Sequence, residues 1–172
     1  MCNDTKRKIA AAVIDIMRTR PVSKITVQQI MEQTQMKRQS FYYHYQDIYD
    51  VLEWIVTTDV CGPLQYDEAQ TLTDWCEEAL TLLHDKQSLL RKISLALGSD
   101  KMYSLTCDIL RPQLTRLLPE DTCGEQIHAL ALDTLCWGTF HTLNSMVTAR
   151  TPIDVELSMQ KLQALMSAAR GF

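Results

Sequence analysis

The length, composition and charge of this chain are those of a small globular protein. Its 172 residues are 46% hydrophobic and 22% charged, with five glycines, five prolines and no low-complexity stretch. These values exclude a disordered or collagen-like chain. No apolar run approaches the ~20 residues that span a bilayer, and no secretory signal is recognisable. We therefore expect a cytoplasmic protein with no membrane partner.

The net charge of −4 is distributed unevenly along the sequence. Residues 1–46 contain eight Lys and Arg against three Asp and Glu, a net charge of +5. Residues 47–172 contain nine against eighteen, a net charge of −9. The first segment attracts phosphate and the second repels it. This asymmetry predicts a nucleic-acid-binding domain over 1–46 and an acidic domain over 47–172.

Four helices are predicted in the first third of the chain. Asp4 or Thr5 is placed to cap the first helix, Thr26 the second and Asp47 the fourth, because their side-chain oxygens can accept from free amides. Apolar residues at helical spacing set the ranges: 5–19, Thr26 to about Gln33, 37–45, and Asp47 to Gly62.

The rest of the chain continues as helices. No segment shows the period-two alternation of a strand. After a loop over 62–71, helical patterns resume over five ranges: 72–85, 87–97, 100–118, 123–149 and 154–169. Pro112 lies inside the third of these and is expected to kink it. The predicted fold class is all-α with about nine helices, namely a three-helix helix-turn-helix domain followed by a helical C-terminal domain.

The segment from Thr26 to Tyr45 has the lengths of a helix-turn-helix. Reading duplex DNA requires a short helix with polar, positive residues at its N-terminal end, braced by a second short helix. The third helix begins with Lys37, Arg38 and Gln39, and Arg can pair with guanine and Gln with adenine. Further donors to the phosphate backbone follow: Tyr42, Tyr43 and His44. An ordinary amphipathic helix with a solvated basic face is the alternative.

Residues 9–55 resemble the DNA-binding domain of the tetracycline-repressor (TetR) family. The family has a capping Thr, a short turn and then the pattern [ST]-x-x-[ST]-[FL]-Y-x-[HY]-F. The chain matches it at these positions: Thr26, Ser40, Phe41, Tyr42, His44 and, conservatively, Tyr45. The stretch from Phe41 to Ile55 is similar to a subgroup that includes regulators of dihydroxyacetone kinase operons. The resemblance implies seven DNA-contacting residues: Thr26, Lys37, Arg38, Gln39, Tyr42, Tyr43 and His44.

The chain departs from the family pattern at two positions. Gln35 stands where the family usually has Gly, and a left-handed Gln costs about 1–2 kcal/mol, so we expect a turn of different construction. Ile48 stands where the family commonly has a Lys that binds phosphate. Phosphate affinity is therefore expected from other cations: Lys6, Arg7, Lys8 and Lys24.

The resemblance also implies a homodimer, formed by the last two helices and bound to a palindromic operator. Residues 123–149 carry a compatible stripe with several small members: Ile127, Leu130, Ala131, Thr134, Leu135, Gly138, His141, Thr142 and Ser145. The final helix adds further apolar residues: Val155, Leu157, Leu162, Leu165 and Met166. Helices that merely close the core of a monomer are the alternative.

Candidate ligand-binding residues in the C-terminal helices are mostly aromatic, and plain core packing is the alternative for each of them: Trp75, Tyr103, Cys107, Trp137, Phe140 and His141. The four His and six Cys show no metal-ligand spacing and no CxxC pair, so we expect no metal, no cofactor and reduced thiols. Nothing resembles a nucleophile elbow, a phosphate-binding loop or a zinc-hydrolase helix. We do not expect an enzyme.

These observations predict a transcriptional regulator that binds duplex DNA as a homodimer. A small ligand or a protein partner at the C-terminal domain would control it by changing the separation of the two recognition helices. Repression is the family default, and the dihydroxyacetone-linked resemblance adds activation with a protein co-regulator. The alternative from another class is a helical protein–protein adaptor that retains the fold but not specific DNA binding.

Overall fold

The computed structural model describes residues 2–65, 67, 69–116 and 125–169. Across these ranges the chain forms nine α-helices and no strand, which confirms the all-α class. The helices are α1 (Cys2–Thr19), α2 (Val27–Thr34), α3 (Arg38–His44), α4 (Ile48–Val56), α5 (Leu72–Asp85), α6 (Gln87–Leu97), α7 (Ser99–Thr115), α8 (Glu125–Thr148) and α9 (Val155–Ala169). A 3₁₀ turn over Val22–Lys24 precedes α2, and a π-helical turn over Thr57–Cys61 extends α4.

The observed helices correspond to the predicted ones, with corrections at their ends. Helix α1 begins at Cys2, so Asp4 and Thr5 lie inside it and do not cap it. Asp4 still favours this end, because a carboxylate in the first turn interacts well with the positive end of the helix dipole. Helix α7 runs through Pro112. The predicted end of that helix at 118 and the predicted start of the next at 123 lie outside the described residues.

Side-chain caps start α2 and α4 where the sequence predicts them. The Thr26 hydroxyl accepts from the Gln29 amide at 3.3 Å, and the Gln29 side-chain oxygen accepts from the Thr26 amide at 3.1 Å. The Asp47 carboxylate likewise accepts from the Asp50 amide at 3.0 Å. Each cap satisfies amides that have no partner inside the helix. The helix-turn-helix is therefore delimited by local hydrogen bonds.

One hydrophobic core runs through both predicted domains. Ile9 of α1, Phe41 of α3 and Leu52 of α4 are fully buried in it, and so are Ile93 of α6 and, nearly, Phe140 of α8. Helix α4 packs against both α1 and α6, so it stands between the helix-turn-helix and the C-terminal helices. Packing is thus continuous across residues 46 and 47.

A polar contact also joins α6 to α1. The Lys92 ammonium donates to the main-chain carbonyls of Met17 and Arg18. These carbonyls lie in the last turn of α1, where oxygens lack helical partners and the helix dipole is negative. The start of α6 is fixed at the other side, since the Gln87 side-chain amide donates to the carbonyls of Met146 and Thr151 at 3.0 and 2.9 Å. Helix α6 therefore connects α1 to the segment between α8 and α9.

The turn between α2 and α3 is left-handed at Gln35, which has φ 55° and ψ 31°. The expectation of a different turn at this position is therefore wrong. The amide of Gln35 donates to Glu32 and that of Met36 donates to Met31, so the end of α2 is closed by main-chain hydrogen bonds. Gln35 is exposed and is the only non-glycine residue with positive φ in the described ranges. The Cβ of Gln35 is therefore close to main-chain atoms, which is the steric cost of the left-handed conformation.

Replacing Gln35 by glycine is expected to stabilise the protein. Glycine adopts positive φ without a Cβ clash, and this gain exceeds the entropy that glycine adds to the unfolded chain, for a net of about 1 kcal/mol. Urea unfolding followed by circular dichroism measures the change. Gln39→Gly is the control, because Gln39 is exposed inside α3, where glycine destabilises. Equal effects of the two substitutions would contradict a cost at Gln35.

Candidate nucleic-acid interface

Helices α2 and α3 form a braced helix-turn-helix. Ile30 and Met31 of α2 and Phe41 of α3 are buried on the facing sides. The Gln33 side-chain amide donates to the Asp15 carboxylate at 2.9 Å and ties α2 to α1. Helix α3 has only seven residues, so its position depends on this packing. The outward side of α3 is thereby held rigidly toward solvent.

The solvent side of α3 carries the residues that the sequence singles out for DNA. Lys37, Arg38 and Gln39 are exposed at its N-terminal end. Tyr42 is half exposed, and Tyr43 is 81% exposed, which is unusual for so large an aromatic side chain. His44 is half-buried with its ring 4.9 Å from that of Tyr43. The structure brings six of the seven predicted contacts together on or beside one short helix.

Arg38 and Tyr42 support each other across one helical turn. The Arg38 Nη2 donates to the Tyr42 hydroxyl at 3.1 Å, and the guanidinium carbon lies 5.6 Å from the centroid of the tyrosine ring. The pair therefore combines a hydrogen bond with a cation–π contact. A guanidinium already ordered in this way loses less conformational entropy when it binds phosphate or a base edge.

Thr26, the seventh predicted contact, lies at the N-terminus of α2. Its oxygen accepts the Gln29 amide, so its hydroxyl hydrogen remains able to donate to a phosphate. Ile48, in contrast, is half-buried against the core and offers no donor side chain. The first turn of α4, Ile48 to Asp50, therefore has no cationic side chain.

Tyr45 links α3 to the basic start of α1, a contact that the sequence pattern did not reveal. Its hydroxyl donates to the Lys6 carbonyl at 3.3 Å, and the Lys6 ammonium lies 5.2 Å from its ring centroid. Burial, reinforced by the Asp50 carboxylate, raises the pKa of Tyr45 well above its ordinary value, so the phenol stays protonated as a donor. Lys6 therefore lies beside the end of α3, and Arg7 and Lys8 are exposed next to it in sequence.

The outward side of α8 is a second distinctive surface, because it is exposed but largely apolar. The inward side is buried against α6 and α7 through Leu132, Cys136, Phe140 and Val147. The opposite side is exposed and mostly apolar or small: Ile127, Leu130, Thr134, Trp137, Gly138, His141 and Ser145. In residues 126–148 the sequence has a single charged side chain, Asp133, apart from two histidines. We call this exposed side the α8 face.

Other members of the predicted dimer stripe are distributed as follows. Leu135 and Thr142 of α8 and Leu157 of α9 are exposed, whereas Ala131, Val155 and Leu162 are half-buried. The side chains of Leu165 and Met166 lie outside the described residues.

Three of the six candidate ligand-binding residues form a cluster, and the other three lie outside it. Tyr103, Trp137 and Phe140 form an aromatic cluster between α7 and α8, with Tyr103 4.6 Å from Trp137 and 5.4 Å from Phe140 between ring centroids. Trp75 is buried on α5, and its indole donates to the Leu64 carbonyl at 3.0 Å. His141 is exposed on the α8 face. Cys107 is half-buried, and burial together with Asp108 raises the pKa of its thiol.

A narrow apolar cavity of about 60 Å³ lies between α5, α6, α7 and α8. Trp75 and Phe140 line it, but the other four candidates do not. Its volume is smaller than the ~150 Å³ that admits benzene and far below the ~300 Å³ of an ordinary ligand pocket. In this conformation the cavity excludes a drug-sized effector.

In the described ranges, no group of three or more His, Cys, Asp and Glu residues is arranged to hold a metal ion. No described helix is both long enough and apolar enough to cross a membrane. Four described cysteines are free thiols: Cys61, Cys76, Cys107 and Cys136. Burial raises the pKa of Cys61 to about 11, so this thiol is protonated at neutral pH.

Comparisons by sequence found no relative: no family model matches the chain, and no curated protein matches it. Comparison of structures found a similar solved chain, described as "Dihydroxyacetone kinase operon activator DhaS". The two share 16% sequence identity with a TM-score of 0.73, and the match covers 98% of this chain and 97% of the other. This chain therefore has a TetR-like fold over almost its whole length.

Proposed function

We propose that this chain is a DNA-binding transcriptional regulator and not an enzyme. It acts as a homodimer on a palindromic operator, with residues 1–46 reading DNA and residues 47–172 serving dimerisation and control. The observation that carries the proposal is the exposed N-terminal end of α3, where Lys37, Arg38 and Gln39 project from a braced helix in a segment of net charge +5. Such an end fits the major groove and can donate to guanine, adenine and phosphate.

Two features favour DNA reading over a merely solvated basic helix. Arg38 is held by Tyr42, and Tyr43 is 81% exposed although its ring contacts that of His44. Lys6 and its neighbours add positive charge beside the end of α3, which compensates for the missing lysine at position 48. The adaptor hypothesis accounts for the fold but assigns no role to these side chains.

The α8 face supports dimerisation. A long helix with one exposed side almost free of charge is poorly suited to water, and burial of that side against a second copy would remove Ile127, Leu130 and Trp137 from solvent. Gly138 lies on the same side, and a Cβ added there would meet nothing within 4 Å. That space lets a partner helix approach closely. Two copies related by a two-fold axis would present two α3 helices to the two halves of a palindrome.

Control is proposed to act through the C-terminal helices. The 60 Å³ cavity supports a very small ligand, or a protein partner that binds the outer surface, over a larger effector. The structural neighbour is described as an operon activator, which supports activation, whereas the TetR resemblance supports repression. A reporter gene controlled by a duplex that the purified protein selects from a randomised library decides between activation and repression.

Arg38→Ala is expected to weaken binding to a specific duplex. Duplexes are first enriched from a randomised library with the purified protein, and affinity is then measured by fluorescence anisotropy at two salt concentrations. Loss of a bidentate base contact costs about 1–3 kcal/mol, or roughly 5- to 150-fold in affinity, and relaxes the preference at one base pair.

Arg20→Ala is the matched control for this experiment. Arg20 is exposed and carries the same charge, but it lies roughly 20 Å along the α1 axis from Lys6 and the end of α3. Its loss is expected to change affinity only slightly. If the library yields no enriched sequence, DNA reading is wrong and the adaptor hypothesis gains support.

Leu130→Arg is expected to convert the dimer into monomers. A buried guanidinium without a partner would be strongly unfavourable in an apolar interface. Sedimentation velocity measures the oligomeric state. Leu95→Arg is the control, because Leu95 of α6 is 69% exposed against 68% for Leu130 but lies off the α8 face. A Leu130→Arg protein that stays dimeric, or a monomeric unmodified protein, would contradict the proposed interface.

A further inference from the structure

An open groove of about 470 Å³ lies between α6 and the segment that joins α8 to α9. Its lining residues are mostly polar or positively charged: Gln87, Ser88, Arg91, Lys92, Leu95, Ala149, Arg150 and Pro152. The groove is separate from the 60 Å³ cavity, with which it shares no lining residue. It is also removed from α3, because Lys92 contacts the C-terminal end of α1 and Lys6 at the opposite end contacts Tyr45.

The positive charge of this groove contrasts with the net negative charge of residues 47–172. Residues 47–172 have a net charge of −9 and contain only nine Lys and Arg, yet three of the nine line the groove and no carboxylate does. Two other cations of this part of the chain form ion pairs, Lys101 with Glu53 and Arg111 with Asp133. No ion pair within the described residues involves Arg91 or Arg150.

Arg91 has a further unsatisfied donor. It is half-buried, and its Nε is shielded from solvent without a hydrogen-bond partner. A buried donor left unpaired costs free energy, so a rotamer of Arg91 that turns its guanidinium toward an acceptor in the groove would be favoured. An anion is the natural acceptor, since it would also approach the neighbouring guanidinium of Arg150.

Hydrogen bonds hold the main chain on both sides of the groove. Gln87 binds the end of α8 and the segment that follows it by three hydrogen bonds: its side-chain amide donates to the Met146 and Thr151 carbonyls, and its side-chain oxygen accepts from the Ile153 amide at 3.1 Å. Lys92 is held by the carbonyls of α1. The main-chain positions of Arg91 and Arg150 are therefore set before any ligand arrives, so binding needs to order only their side chains.

We propose that this groove binds a small anion that carries a phosphate group, either inorganic phosphate or a phosphate monoester. Two guanidinium forks match the tetrahedral oxygens of phosphate in bidentate fashion. Ser88 supplies a hydroxyl donor, and Leu95 and Pro152 offer apolar contact to the carbon part of an ester. The proposal goes beyond DNA binding and does not depend on it, because the site is assayed without DNA.

The test is isothermal titration of the purified full chain with inorganic phosphate, at constant ionic strength maintained with chloride. Binding in the millimolar range or tighter is expected. Arg91→Gln and Arg150→Gln are each expected to weaken it by about tenfold or more, since each removes a charged donor. Arg150 is exposed, so its substitution leaves the core intact even if Arg91→Gln impairs folding. Methyl phosphate in a parallel titration separates the ester from the free ion.

Lys161→Gln is the control variant, because Lys161 is an exposed cation of α9 that does not line the groove. It is expected to bind phosphate as the unmodified chain does. Heat release that matches a chloride titration, or equal phosphate affinity in the Arg150→Gln and unmodified proteins, would overturn the proposal.

Discussion

Burial of Phe41 and Tyr45 is the contact on which the candidate interface depends. A seven-residue helix has no stability of its own in water, so α3 exists because these two rings are buried against the rest of the chain. Their burial turns Arg38, Gln39 and Tyr43 outward as a direct consequence of helical spacing. The Tyr45 hydroxyl then fixes α1 beside α3 through the Lys6 carbonyl. One apolar contact thus sets the orientation of the polar groups and the nearby positive charge.

The same core would transmit a displacement of the C-terminal helices to α3. Helix α4 packs on α1 and on α6, and α6 packs on α8, so no solvent gap separates the proposed DNA-binding and control parts. The Lys92 ammonium adds a polar link from α6 to the last turn of α1. A shift of α6 would therefore move α1 and, through Tyr45, the end of α3. Close-packed interiors transmit such displacements because they contain little free volume to absorb them.

Local signals accounted for much of the fold. Caps at Thr26 and Asp47 and the apolar spacing between them are properties of adjacent residues, so the sequence predicted those helices and the exposed side of α3. Long-range juxtapositions could not be predicted. Arg91 and Arg150 are 59 positions apart, and only the packing of α6 beneath the α8–α9 segment makes them neighbours of one groove. Which of the six candidate ligand-binding residues lie together could not be predicted either, since aromatic residues fill cores and line pockets with identical local patterns; Tyr103, Trp137 and Phe140 form one cluster. The left-handed Gln35 opposes the steric preference of a residue with a Cβ, and main-chain hydrogen bonds close the end of α2 in this conformation.

If the nearly uncharged α8 face is the dimer interface, the fraction of dimer depends on the concentration of the protein in the cell. If two copies must combine before both halves of a palindrome are read, operator occupancy below the dimer dissociation constant rises with the square of the monomer concentration. A twofold change in synthesis then produces about a fourfold change in the DNA-competent species, by mass action. The exposed leucine and tryptophan side chains of one helix would thus give the regulator a threshold, and dilution alone would switch it off.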